Sequence, residues 1–323
     1  MKSAVLSAAI CLALVPAVVR AQSCDAKIPP IATGYGADGP YKADADSVDN
    51  PTFRKPVQVF LPVGAQGKRP VVFFSHGYGP SMWEINKGLL MHIASRGYIV
   101  VYSTYPMIGV TMDGRYGALW SGFQAAVDKF GGRMDLTRVA FVGHSFGGGA
   151  TPSMAYHGIV EKGWGSNGAL LFELAPWYVY QMANDKLARL PKSVVQAVEV
   201  YDKDTKNDHR MAIDLYANTA VDRKYYFLVH SENVDGCDVI ADHATPGRNP
   251  SERQRAYSVY RPFDALAALA FDHSAEAKAA LSTMGASTSA SPYQPLELVS
   301  TPSPVEPESY YENPWSNDRN PRK

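Results

Sequence analysis

The segment Gly143-His144-Ser145-Phe146-Gly147 constrains the fold of this chain more than any other stretch. Glycine two positions before and two after a serine marks a turn so tight that larger side chains would collide there. The flanks agree. Residues 138–142 form a short apolar run expected as a buried strand, and 150–160 read as a helix. A strand-to-helix turn of this kind pushes the serine hydroxyl into the open. It also aims the N-terminus of the next helix at the hydroxyl, where negative charge is favoured. A phosphate-cradling loop would need Lys-Ser/Thr after its last glycine, and none follows here.

The remaining pattern alternates strands with helices. Val57, Val59 and Leu61 alternate with Gln58 and Phe60, predicting a strand that ends at Pro62. Apolar runs at 71–74, 98–102, 170–174, 194–200 and 225–229 read as strands buried on both faces. Helical spacing covers 84–96, ended by Gly97, and 116–130, ended by Gly131-Gly132. Further helices are expected at 208–217 and 261–281. Such alternation implies right-handed βαβ units, hence an α/β fold with a mostly parallel central sheet flanked by helices. Residues 24–56 are rich in Gly, Pro and Asp and read as an irregular lead-in with one edge strand.

Of the 323 residues, 46% are apolar or aromatic, enough for a large core in one catalytic domain, expected over 22–285. Lys plus Arg is 31 and Asp plus Glu is 31, so there is no basic surplus to hold nucleic acid. A neutral or hydrophobic substrate fits better. Residues 1–21 read as a signal peptide. Lys2 supplies the charged start, and the apolar stretch 4–19 is short and broken by Pro16, so stable membrane insertion is not expected. Val19 and Ala21 occupy the −3 and −1 positions of a cleavage site before Gln22, which predicts a secreted protein. Ala21-Gln22-Ser23 lacks the aliphatic residue of a lipoprotein signal before Cys24. Residues 286–323, loaded with Pro, Ser and Asn, read as a surface-hugging or disordered tail. Cleavage removes Cys11 and leaves Cys24 and Cys237, an even count that predicts one disulfide over the alternative of two free thiols. No Cys/His spacing suits zinc, so neither metal nor cofactor is expected.

A serine hydroxyl is a weak nucleophile and needs a base held by an acid. With this turn the chain order is Ser, then Asp or Glu, then His. Asp202 and Asp204 follow the strand at 194–200 and are both candidates for the acid. His230 and His243 follow the next strand and are both candidates for the base. An oxyanion hole needs two backbone N–H groups. Phe146 supplies one, and Tyr78, in the loop Ser75-His76-Gly77-Tyr78-Gly79, supplies the other. His76 lies upstream of the serine, which assigns it a structural role.

Over residues 56–246 the chain resembles the polyester hydrolase, cutinase-like and lipase branch of the α/β-hydrolases, and it is also similar to the platelet-activating-factor acetylhydrolase-like branch. The resemblance rests on Phe74-Ser75-His76-Gly77-Tyr78, the elbow through Gly149, Ala175-Pro176-Trp177, Asp202-Lys203-Asp204-Thr205 and Asp242-His243-Ala244-Thr245-Pro246. It implies Ser145 as nucleophile, Asp204 as the acid, His243 as the base, and Trp177 and Tyr78 as aromatic walls of the substrate cleft. The chain departs from that pattern in three ways. An insertion containing Cys237 precedes His243, Phe146 replaces the usual Met, and the lead-in and tail have no counterpart.

These features predict a secreted serine carboxylic ester hydrolase, working as a monomer through an acyl-enzyme. Its substrate is expected to be a small or polymeric hydrophobic ester such as a lipid, cutin or polyester. Two alternatives stand beside this reading. One is an acyltransferase, in which an acceptor other than water resolves the acyl-enzyme. The other is a non-catalytic binding protein, which would usually have lost one of the three residues.

Overall fold

Phe73 and Phe74 are neighbours in the chain and belong to opposite cores. They lie on β3 (Arg69–Ser75), a strand buried on both faces, so successive side chains point to opposite sides of the sheet. Phe73 packs on Phe123, Phe141 and Trp164 at ring separations of 5.1 to 5.2 Å, while Phe74 stacks on Tyr102 at 5.8 Å.

A computed structural model describes residues 24–249, 251–284 and 293–322. The expected signal peptide over 1–21, its cleavage site and Cys11 lie outside the described residues. Among those described, one nine-stranded sheet organises the chain. Its antiparallel edge is β1 (Ala43–Asn50) on β2 (Phe53–Pro62), and β2 pairs antiparallel with β4 (Ile99–Ser103). From there β4, β3, β5 (Met134–His144), β6 (Gly168–Leu174), β7 (Val195–Tyr201) and β8 (Arg223–Val229) run parallel. The mostly parallel sheet expected from the apolar runs is therefore present. The lead-in supplies β1, whose Asp44, Asp46 and Asp49 suit an edge facing water.

Helices cover both faces. On one side α1 (Lys87–Ser95), α5 (Arg261–Phe271) and α6 (Ala275–Thr283) contribute Leu89, Ile93, Phe263, Leu266 and Leu281 to the core. On the other, α2 (Met112–Phe130) and α3 (Phe146–Ala155) contribute Leu119, Phe123, Ala150 and Met154. A further helix, α4 (His209–Asn218), follows β7. The helix expected over 261–281 is in fact two. His273 turns into the left-handed region at φ 53°, and Ser274 caps the second helix by accepting the Ala277 N–H at 3.0 Å. The alanine-rich sequence conceals that break.

Three features bind the outer segments to this frame. The lead-in is tied down where Gly36 N–H donates to Asp264 at 2.9 Å and where His92 bridges Asp38 and Asp264. A disulfide joins Cys24 to Cys237, which lies on a small hairpin of β9 (Glu232–Val234) and β10 (Cys237–Val239). Beyond residue 292 the chain adds β11 (Leu296–Leu298) antiparallel to β8, then crosses to the loop after β7.

Candidate active site

Ser145 stands at the junction of β5 and α3 with φ 57° and ψ −119°. A non-glycine residue in such a conformation costs about 1–3 kcal/mol and persists only where its surroundings enforce it. Here they do. Ser145 N–H donates to the Leu174 carbonyl at 2.8 Å, and the Ser145 carbonyl accepts from Trp177 N–H at 2.8 Å and Gly149 N–H at 3.0 Å. The glycines are required by close approach. A Cβ on Gly143 would lie 2.2 Å from the Gly147 carbonyl oxygen, and one on Gly147 would lie 1.9 Å from the Ser75 carbonyl oxygen.

Three sequence candidates converge. His243 Nε2 lies 2.9 Å from Ser145 Oγ, and His243 Nδ1 lies 2.7 Å from Asp204 Oδ2. Asp204 is buried, and its other oxygen accepts the backbone N–H groups of Lys206 at 2.7 Å and Asn207 at 3.2 Å. Those bonds fix the carboxylate in place and leave one oxygen for the imidazole. With Nδ1–H donating to Asp204, Nε2 is the free acceptor facing the serine.

The rival candidates have other partners. Asp202 accepts Ser231 N–H at 2.9 Å and the Ser231 hydroxyl at 2.6 Å. His230 turns to the far side of β8, where Nε2 pairs with Glu297 at 2.7 Å. The insertion between His230 and His243 leaves and returns at one point. Ala241 N–H donates to Ser231 Oγ at 2.9 Å, and Lys203 N–H donates to the Ala241 carbonyl at 3.0 Å. This pinched neck aligns Asp242 and His243 with the sheet's end, whatever the hairpin beyond it does.

Two further histidines shape the floor. His144, beside Ser145, packs its ring 4.8 Å from that of His243. Burial, with His243 nearby, holds its pKa well below the ordinary value, so it stays neutral. Burial also pushes His76 down to about 4. His76 donates Nδ1–H to the Gly77 carbonyl at 2.7 Å and stacks 4.3 Å from Tyr105, whose hydroxyl donates to the same carbonyl at 2.9 Å. The loop presenting Tyr78 is thus braced from beneath. Phe146 is the first residue of α3, and its N–H is among those a helix start leaves without an intrahelical acceptor.

These residues line a cleft of about 970 Å³. Tyr78 is 61% exposed at its rim, under the Arg115 guanidinium at 5.7 Å. Trp177 is half-buried: it lines the cleft and also packs against Tyr178 at 5.4 Å. Several lining residues carried no signal in the sequence. Asn207 Nδ2 donates to the Ala175 carbonyl at 2.9 Å and stands 3.5 Å from Ser145 Oγ. Ile240 comes from the insertion, and Asn313 comes from the C-terminal segment. That segment clasps the loop of Asp204: Glu312 N–H donates to the Thr205 carbonyl at 2.7 Å and Asn313 N–H to the Lys206 carbonyl at 3.0 Å. Trp315 N–H reaches Asp208 at 3.0 Å, and Ser316 N–H reaches the Tyr178 hydroxyl at 2.8 Å. Only the spacing of Asn207 from Asp204 could have drawn attention to it.

Among the described residues, no group of three or more His, Cys, Asp or Glu is placed to hold a metal ion. None of the described helices is long and apolar enough to cross a membrane.

Residues 35–161 match the family model described as Chlorophyllase, an α/β-hydrolase-type esterase family. The chain has an α/β-hydrolase fold. The match covers less than half of the chain, taking in β1 through α3, and so both the loop of Tyr78 and the elbow of Ser145. Asp204 and His243 lie beyond it. No curated protein matches the chain.

Proposed function

We propose that this α/β-hydrolase is a secreted carboxylic ester hydrolase in which Ser145, His243 and Asp204 act as a triad through an acyl-enzyme. One observation carries the reading: a single imidazole bridges a strained, elbow-held serine hydroxyl and a buried carboxylate, at 2.9 and 2.7 Å. In that arrangement His243 Nε2 takes the hydroxyl proton as Ser145 Oγ bonds to the ester carbonyl carbon. The carbonyl oxygen becomes an oxyanion, received by the N–H groups of Phe146 and Tyr78. As the tetrahedral intermediate collapses, the C–O bond to the alcohol breaks, and His243 returns its proton to the departing alkoxide. Water then attacks the acyl-enzyme by the same route, giving the acid and free Ser145. The Asp204 carboxylate holds the imidazole tautomer and balances the imidazolium.

Tyr78, Trp177 and Ile240 give the cleft apolar walls, which favours esters with a hydrophobic group over small polar ones. The disulfide between Cys24 and Cys237 supports export, since such bonds persist in oxidising compartments.

The test is labelling with a fluorophosphonate probe, followed by hydrolysis assays on a panel of esters. The panel runs from p-nitrophenyl acetate to long-chain and aromatic esters, with chlorophyll included because the matched family's name points to it. Probe mass is expected on the Ser145 peptide, with no labelling of Ser145→Ala. A folded protein that neither takes up the probe nor hydrolyses any ester would refute the assignment.

A further inference from the structure

The chain as a whole is electrically balanced, with 31 basic and 31 acidic residues, yet its cleft is not. Arg115, Lys203, Lys206 and Arg248 line it, against Asp242 as the lining carboxylate. Asp204 lies behind His243 and is spent on it. Lys206 is neutralised by Glu312. Three cations remain without a carboxylate partner among the described residues.

Their placement is specific. The Arg115 guanidinium sits 5.7 Å over the Tyr78 ring and donates to the Met107 carbonyl at 2.9 Å, and its Nε is buried without a partner. The Arg248 guanidinium reaches the same loop, 3.6 Å from where a Cβ on Gly79 would stand. The side chains of Lys203 and Arg248 make no hydrogen bond or ion pair among the described residues. Lys203 lines the same cleft, anchored by its backbone to the neck of the insertion. Asp242 is the one lining carboxylate set against these three cations, and its oxygen already accepts Ala244 N–H at 2.9 Å. A cleft with low-dielectric walls and an excess of one sign of charge concentrates its field on whatever enters.

We propose that the cleft selects esters carrying an ionised carboxylate beyond the scissile bond, with the apolar part on Trp177 and Ile240 and the carboxylate at Arg248, Arg115 and Lys203. This rests on the ester-hydrolase reading and narrows its substrate class. A guanidinium pair suits a carboxylate because its planar fork can donate two parallel hydrogen bonds. Both arginines stand beside the loop that carries Tyr78 and line the cleft that holds Ser145.

The experiment compares p-nitrophenyl butyrate, which is neutral, with the mono-p-nitrophenyl ester of glutaric acid, which carries one carboxylate at neutral pH. The ratio of kcat/KM, anionic over neutral, is measured for the wild type, Arg248→Gln, Lys203→Gln and the double variant. Measurements run at low ionic strength and at about 0.5 M salt, where charges separated by more than a few ångströms are screened. The ratio is expected to exceed one at low salt, to fall several-fold in high salt, and to drop about tenfold in the double variant. Arg248 and Lys203 are exposed, and the salt series on the wild type decides the question without any variant. A ratio below one that neither salt nor substitution changes would overturn the proposal. Hydrolysis of the butyrate alone would refute this inference and leave the ester-hydrolase reading standing. Hydrolysis of neither ester, with no probe on Ser145, would remove both.

Discussion

Asp202 holds Ser231 by two hydrogen bonds, to its N–H at 2.9 Å and its hydroxyl at 2.6 Å, while Ser231 Oγ in turn accepts the Ala241 N–H. Two residues further on, Asp204 faces the imidazole instead. The two carboxylates therefore divide the work: one closes the neck of the insertion and the other holds the His243 imidazole. Asp204→Asn is expected to lower kcat by about three to four orders of magnitude, as loss of a triad acid does. Asp202→Asn should cost activity far less and should show mainly as a lower Tm. Steady-state kinetics and thermal melts of the two variants check this, and equal kinetic losses would contradict the division.

The two histidines should separate in the same way. His243→Ala and Ser145→Ala are each expected to lose about six orders of magnitude in kcat, close to the loss when a whole triad is removed. His230→Ala removes a pairing with Glu297 on the far side of β8 and should retain most of the activity. A dead His230 variant beside an active His243 variant would reverse the assignment.

The disulfide between Cys24 and Cys237 closes a loop spanning 213 residues and joins the lead-in to the hairpin ahead of His243. Its removal by the double Cys→Ser substitution is expected to cost about 2–4 kcal/mol of stability. The neck at Ser231 and Ala241 is independent of the bond, so kcat at temperatures below the melt should change little. Denaturant titration and initial rates measure the two effects. Intact mass under non-reducing conditions reports the bond itself.

His92 gives the fold a pH dependence of its own. It is buried, which disfavours its charged form, but its hydrogen bonds to Asp264 and Asp38 outweigh that penalty and raise its pKa. Arg96 also reaches Asp264, and Tyr260 stacks on the imidazole at 4.3 Å. A raised folded pKa means that the stabilisation is fully present below the ordinary value of 6.5 and is lost as pH rises through the folded one. The stability gap between wild type and His92→Gln should therefore be widest below that value and narrow on the alkaline side. Urea titrations across that range test it, and a gap that widens with pH would be the wrong sign.

Much of this molecule is legible in its sequence, for physical reasons. A parallel strand buried on both faces must be apolar throughout, so runs such as 71–74 and 170–174 announce themselves. A turn with two backbone close approaches must have glycine at Gly143 and Gly147. Choosing between Asp202 and Asp204, or His230 and His243, required a family likeness, because the geometry that separates them lies in contacts between residues distant in sequence. Nothing local marks Ser231 as the anchor of a neck. The break at His273 is hidden because the apolar residues on both sides keep helical spacing. The part played by Asn313 is equally silent, since its N–H and its side-chain Nδ2 both donate to the Lys206 carbonyl, a partner 107 residues away in the chain.

The clasp of residues 312–316 on the acid loop also sets an order in time. A chain made from its N-terminus brings out the serine, the carboxylate and the imidazole well before the stretch that braces the loop between two of them. On the triad reading, competence arrives late in synthesis, with the pairing of Asn313 against Lys206. A nascent or half-translocated chain carries all three reactive groups and is expected to stay inert. On the proposed reading of an exported ester hydrolase, this delay would spare the esters of its own cell. It also means that a protease nicking ahead of Glu312 would silence the enzyme without touching any residue in contact with substrate at the reacting carbon.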